Sequence, residues 1–176
     1  MFYCFDGRKP KIGKDTYVSE QAMVIGDVEI GDNCYIGHAA VLRGDYGRIE
    51  IGSGTAVEEG VIIHAPVEEI CNIGQKVTLG HGCIVHSAFI GDIAVIGMGA
   101  VVSIWAEIGE RSIVAEGCVI KMRQKIPPGV VVAGNPGRIV RKIEAKDEEF
   151  WSMGKQLYID LAKKYLKVGM QRLDQA

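Results

Sequence analysis

The sequence predicts an all-β chain wound into a parallel β-helix, a triangular prism of short strands, followed by a C-terminal α-helix. Two observations carry the prism and a third the helix. Branched or long apolar residues recur every sixth position: Ile12, Val18, Val24, Ile30, Ile36 and Leu42; Ile51, Val57 and Ile63; Ile73, Leu79 and Val85; then Ile90, Ile96, Val102, Ile108, Val114, Ile120, Ile126 and Val132. Glycine often follows, as in Ile30-Gly31, Ile51-Gly52, Ile73-Gly74 and Ile96-Gly97. A period of six suits neither an amphipathic helix nor a lone alternating strand. It is the hexapeptide β-helix pattern, with one repeat per face and about eighteen residues per coil. The apolar residue points inward, because the interior admits no unpaired charge. A Val/Ile-rich sandwich gives no reason for eight hits in one unbroken register from Ile90 to Val132.

The pattern changes near residue 144, which divides the chain into a β-helix over 1–143 and a helical segment over 144–176. Ile126-Pro-Pro-Gly129 and Gly134-Asn-Pro-Gly137 are turn formers expected to end the coil. Asp147 is the expected N-cap, with Glu148 and Glu149 in the first turn. Phe150, Met153, Leu157, Leu161 and Tyr165 then define an apolar stripe that should pack back along the prism.

Twenty basic and twenty-two acidic residues give a net charge of −2, so no strong field for nucleic acid is expected. Five cysteines are an odd number with no CxxC pair, which reads as free thiols in a reducing compartment. Cys34, Cys71, Cys83 and Cys118 sit in or beside the repeats as small apolar fillers. The N-terminus lacks the basic flank and apolar run of a signal peptide, and no apolar stretch spans a bilayer. A cytoplasmic protein without a membrane partner is the expectation.

The repeat turns histidine spacing into geometry. His64 and His86 each follow an inward residue, Ile63 and Val85, and so point outward. They are 22 apart; the step from Ile63 to Ile73 holds a four-residue insertion, and 22 − 4 = 18 is one full coil. Leu42 to Ile51 holds a three-residue insertion, and removing it from the 21 between Arg43 and His64 again leaves 18. Arg43, His64 and His86 therefore form one column. His81 falls in another, above Glu59 and His38, across a corner of the prism. It cannot easily share an ion with His64 and His86 of its own chain. A threefold homo-oligomer solves this by setting a corner of one subunit against a face of the next. Three neutral imidazoles leave a fourth position open, the pattern of a catalytic zinc. His38 has no partner spacing that recommends it.

Such an ion brings bound water toward ionisation near neutral pH, and carbon dioxide is an electrophile small enough for a narrow cleft. Arg43 and Asp45, in Leu42-Arg-Gly-Asp45, lie just below: an ion pair bridging subunits, or a surface pair of little weight. Glu58 and Glu59 face the neighbourhood of His81, placed to accept a hydrogen bond from water or to orient an imidazole. Glu68 and Glu69, in the insertion after His64, are proton-relay candidates or a solvated loop pair.

These residues resemble the γ-class carbonic anhydrases across almost the whole chain. The resemblance is carried by Leu42-Arg-Gly-Asp45, Ile51-Gly-Ser-Gly-Thr55, Val61-Ile-Ile-His64, Leu79-Gly-His-Gly-Cys-Ile-Val-His86, Ile96-Gly-Met-Gly-Ala100 and Gly134-Asn-Pro-Gly137. The histidines with the Arg-Gly-Asp segment are its specific part. It implies a homotrimer of left-handed β-helices that hydrates carbon dioxide reversibly to bicarbonate with hydroxide on an interface metal. The metal would be zinc, with iron or cobalt in its place, held by His64, His81 and His86. The resemblance also implies an interface ion pair from Arg43 and Asp45, and likens Tyr158 to a tyrosine that some relatives bring over the site. Ala56-Val57-Glu58-Glu59 stands where the family usually carries an Asn and then a Gln-Asp pair, so Glu58 replaces the Gln that positions hydroxide. These departures bear on rate more than on metal binding. Three alternatives remain open: an acyl-CoA acyltransferase on the same prism, a metal-dependent thioesterase, and a non-catalytic metal-binding trimer.

Overall fold

The computed structural model describes residues 1–171 and 173. The chain forms a left-handed parallel β-helix with a C-terminal helix. On the first face, Met23–Val24, Val41–Leu42, Ile62–Ile63, Ile84–Val85, Val101–Val102 and Val119–Ile120 stack in parallel register. The second face stacks Glu29–Ile30, Glu50–Ile51, Asn72–Ile73, Phe89–Ile90, Glu107–Ile108 and Lys125–Ile126. The third stacks Tyr17–Val18, Tyr35–Ile36, Ala56–Val57, Thr78–Leu79, Val95–Ile96, Ile113–Val114 and Val131–Val132. The second residue of each pair is the one the six-residue period marks as inward. From Val24 to Val132 these residues are buried and make one continuous core. Ile12 departs from the expectation: it is 37% exposed, because it lies in the first coil, where the stack has only one neighbour.

Two long strands, Met23–Ile30 and Val41–Ile51, run across a prism edge without breaking. They pass each other at Gly26 and Gly44. Gly26 has φ +75, and a Cβ there would overlap the Gly44 carbonyl; a Cβ on Gly44 would lie 2.5 Å from the Asp27 carbonyl oxygen. Gly44 therefore sets how closely the Arg43–Asp45 segment approaches the coil beneath it. Cys34, Cys71, Cys83 and Cys118 fill the core as expected, and burial pushes the Cys71 thiol up to about 11 and the Cys83 thiol to about 12.

Of the two turn motifs expected to end the coil, Ile126-Pro-Pro-Gly129 does not, and the inward register runs on to Val132. Those prolines form a corner, and Val130–Ala133 adds another parallel strand. Gly134-Asn-Pro-Gly137 then reverses the chain, and Arg138–Lys142 pairs antiparallel with Val130–Ala133, exposed along its length. The helix Ala145–Val168 begins at Glu144, so Asp147 is not the N-cap. Asp147 sits one turn in, where its carboxylate accepts the Glu144 N–H at 2.9 Å and is paired with Arg141 at 2.9 Å. This satisfies a free amide and places negative charge at the helix start.

The helix returns along the third face, over Tyr17–Val18, Tyr35–Ile36 and Ala56–Val57. Its buried side is not the predicted stripe. Phe150, Met153 and Leu157 are all more than 60% exposed, whereas Leu161 and Tyr165 do pack. The inner side runs through Trp151, Lys155, Tyr158, Ala162 and Tyr165, with Lys155 and Ala162 fully enclosed. The face beneath presents Tyr17 and Tyr35, and rings dock on rings: Tyr165 stacks on Tyr17 at 4.5 Å, and Tyr158 lies 5.2 Å from Tyr35. Residues 172 and 174–176 of the expected helical segment lie outside the described residues. No helix among the described residues is long and apolar enough to cross a membrane.

Truncating Ile96, buried mid-prism, to Ala should cost about 2–5 kcal/mol in urea unfolding, while Phe89→Ala, half exposed on an outer face, should cost far less. The Asp147 carboxyl is held near pH 2 by Arg141 and the Glu144 amide, below its ordinary value near 3.8. A depressed carboxyl stabilises above its unfolded value and stops doing so as pH falls through the folded one. Asp147→Asn should therefore lower stability at neutral pH, and the gap from the native protein should close as pH falls from about 4 toward 2.

Candidate metal centre

Arg43, His64 and His86 are consecutive rungs of the first face, paired in register as the spacing required. Ile63 and Val85, fully buried beside them, force both imidazoles outward. The two rings lie nearly parallel, 5.1 Å apart at 13°. Burial lowers the pKa of His64, the Arg43 and His86 charges lower it further, and Asp45 opposes them. His64 is thereby favoured as the neutral imidazole, the form that binds metals. Its Nε2 is buried and has no hydrogen-bond partner; Asp45 Oδ1, at 3.8 Å, is too distant to be one. Asp45 accepts from Arg43 Nη1 at 2.8 Å and from the Tyr46 amide at 3.0 Å. Burial raises the Asp45 carboxyl, but the Arg43 hydrogen bond and charge outweigh it and hold the group below its usual value. The Arg43–Asp45 pair thus closes within one chain. The corner after His86 is set by Ser87, at φ 44, whose amide donates to the His64 carbonyl at 2.8 Å. Ser87 Oγ is buried without a partner.

His81 lies in the second column, tied down through Glu59 to His38 by the Gly82 and Gly60 amides at 2.9 and 3.0 Å. Its Nδ1 is 2.8 Å from Glu59 and its Nε2 is 3.1 Å from Glu58. Glu58 also accepts the His81 amide at 3.1 Å and is only 5% exposed. Burial raises the Glu58 carboxyl, against the opposing pull of His81 and a hydrogen bond from Tyr158. Glu59 takes the Tyr35 hydroxyl at 2.6 Å. Burial raises the Glu59 carboxyl too, but the Tyr35 bond and nearby groups hold it below its usual value. Tyr158 sits against Glu58, behind His81, and its hydroxyl is raised by burial and by that carboxylate. Glu68 and Glu69 stay in the loop after His64, with Glu68 at φ 60 and exposed.

The structure thus forms two separate polar clusters: His64 and His86 with Arg43 and Asp45, and His81 with Glu58, Glu59 and Tyr158. Among the described residues, no three His, Cys, Asp or Glu side chains of the single chain are grouped to hold a metal ion. The donor chemistry of the first cluster does fit a divalent cation: stacked imidazoles, with the neutral form of His64 favoured, and a buried nitrogen with nothing to bond.

Two features escaped the sequence reading. His38 is not bare: its Nδ1 meets Ser19 Oγ at 2.6 Å, and Tyr165 approaches its Nε2. Lys155 is enclosed beneath the helix. The usable signal was the seven-residue spacing Trp151-Tyr158-Tyr165, which marks Lys155 as inner.

Residues 9–44 match the family described as bacterial transferase hexapeptide (six repeats). The chain is 35% identical over 162 residues to the mitochondrial gamma carbonic anhydrase 2 of Arabidopsis thaliana, across 89% of this chain and 58% of that one. It thus spans less than two thirds of that relative's length. It is 37% identical over 150 residues to carnitine operon protein CaiE of Escherichia coli, across 85% and 76% of the two chains. Among solved structures, a hexapeptide transferase family protein of Anaplasma phagocytophilum superposes with a TM-score of 0.89 at 31% identity, covering 93% and 97% of the chains. A putative acetyltransferase of Bacillus cereus gives 0.93 at 29%, covering 95% and 97%. With this prism, this histidine column and relatives this similar along most of its length, the chain belongs to the γ-carbonic-anhydrase-like family of hexapeptide-repeat proteins.

Proposed function

We propose that the chain is a metal-dependent enzyme of the carbonic anhydrase type, working as a homotrimer that hydrates carbon dioxide to bicarbonate. His64 and His86 of one subunit and His81 of the next would hold zinc, or iron or cobalt in its place. The observation that carries this reading is the buried, unpartnered Nε2 of His64 beside the parallel ring of His86. When bound, the metal supplies Lewis acidity and a nucleophile at neutral pH.

The chain's own residues do the rest. Inward Ile63 and Val85 fix both imidazoles on rigid rungs, so little ordering is left for the moment of binding. Arg43 holds Asp45 beside His64, which orders the edge on which the next subunit would close. Glu59, itself held by Tyr35, takes His81 Nδ1 and so leaves Nε2 as the nitrogen that would ligate. Glu58 Oε2 stands against that same Nε2 and competes for it. A neutral amide there would keep an acceptor for the His81 amide while removing a negative charge that opposes a reaction generating an anion.

The acyltransferase reading has the name of one structural relative behind it, the putative acetyltransferase of Bacillus cereus. It calls for one basic histidine in a cleft rather than a stacked pair. Metal analysis of anaerobically purified protein, with stopped-flow hydration of carbon dioxide on the same sample, separates the two. One ion per subunit with measurable hydration supports the anhydrase; acetyl transfer by metal-free protein would overturn it.

His64→Ala and His81→Ala should each lose the metal, while mixed trimers of the two variants should regain one site in three, because only one subunit boundary pairs an intact His64 with an intact His81. Complete loss in every mixed trimer would point to a site within one chain. Glu58→Gln should raise the hydration rate and metal retention together; an unchanged or lower rate removes Glu58 as the brake.

A further inference from the structure

Between the terminal helix and the third face lies a cavity of about 300 Å3, with Ile93, Val95, Ile113, Ile143, Trp151 and Ile159 as its apolar lining. Lys155 also lines it, yet is only 5% exposed. Its Nζ donates to Thr78 Oγ1 and to the Ala94 carbonyl oxygen, both at 3.1 Å. No carboxylate among the described residues pairs with it; Glu58 acts only at longer range.

An enclosed ammonium without a counter-ion is costly, and the two acceptors match the two N–H bonds of a neutral amine. The lone pair is then left for the cavity. Burial brings the amine down to about 7, with Glu58 opposing. Lys76 and Arg111 border the same space; Asp147 and Glu148 do too, but those carboxylates are engaged by Arg141 and Arg111. Tyr158 lies on the Glu58 side.

We propose that Lys155 is a carbon dioxide-binding residue that captures the gas as a carbamate in this cavity. The nitrogen lone pair bonds to the carbon of carbon dioxide, one C=O π pair moves onto oxygen, and the nitrogen releases one proton to solvent. The product is R–NH–COO−. Nothing is oxidised or reduced. Carbon dioxide is neutral and apolar, so it enters an apolar cavity without shedding a hydration shell. Charge selects it over an aldehyde, the other electrophile a free amine takes. An imine leaves no negative charge beside Lys76, which borders the cavity, whereas a carbamate supplies one. The histidine site is not required: added bicarbonate equilibrates with carbon dioxide unaided, so this inference and the proposed hydration fail or stand separately.

The test uses the full chain in 13C-labelled bicarbonate, trapped with triethyloxonium and peptide-mapped, beside 13C NMR of the untrapped sample. Wild-type protein should carry an ethylated carbamate on Lys155, with a matching carbamate resonance that Lys155→Met lacks. The yield should fall several-fold between about one pH unit above and one below the amine's value. His64→Ala should retain the modification. An unmodified Lys155 in folded wild-type protein, under conditions that trap a small-molecule amine, would overturn the proposal, and so would a resonance that survives in Lys155→Met. Because trapping reads the wild-type residue directly, a poorly folding variant does not spoil the test.

Discussion

The whole molecule depends on one packing obligation. Each face of each coil in this narrow prism turns one branched or long apolar side chain inward, and small residues such as Ala40, Cys83 and Ala94 fill the space left between them. Ile63, Leu79, Val85 and Ile96 meet it with no solvent exposure. A slip of one residue along any strand would turn an inward residue out and an outward one in. Register is therefore held by the core, and everything on the outside inherits its position from the inside. His64 lies on the rung below His86 because Ile63 lies below Val85.

The same obligation explains why the polar chemistry is divided. A face is too short to bring residues of two columns together, so His64 and His86 collect on one edge while His81 collects with Glu58 and Glu59 on another. Each half differs electrostatically. The first holds a neutral imidazole beside a tight Arg43–Asp45 pair; the second holds two carboxylates against one ring. The terminal helix adds a third compartment, in which Lys155 is buried and bonded only to Thr78 and the Ala94 carbonyl. Three environments of different polarity are thus supported by one repetitive scaffold.

The prism and its columns were legible in the sequence because a six-residue period leaves few alternatives. Insertion arithmetic placed Arg43, His64 and His86 on one line, and the pairing agrees residue for residue. What was not legible lies where two apolar patterns compete. Phe150, Met153 and Leu157 make a more strongly apolar stripe than the inner side of the helix, which includes a lysine. The choice between them is decided by Tyr17 and Tyr35 on the facing surface, and that partner is visible only once the chain is folded. One of the two turn motifs expected to end the coil, Ile126-Pro-Pro-Gly129, is instead a corner, for a related reason. A proline pair reads as a terminator locally, but a β-helix has corners that need no amide from it. The contacts that make His38 and Lys155 chemically distinctive come from Ser19 and Thr78, each far along the chain from its partner.

A stack of parallel rungs has a built-in hazard, since its last rung offers a template for another chain to add onto. Here the third face ends in a strand running the other way, Arg138–Lys142, carrying Arg138, Arg141 and Lys142. A reversed, cationic rung breaks the repeat that an incoming copy would have to extend. On that face growth into a filament is interrupted by the chain's own turn, and a fold whose logic is endless repetition acquires a finite length.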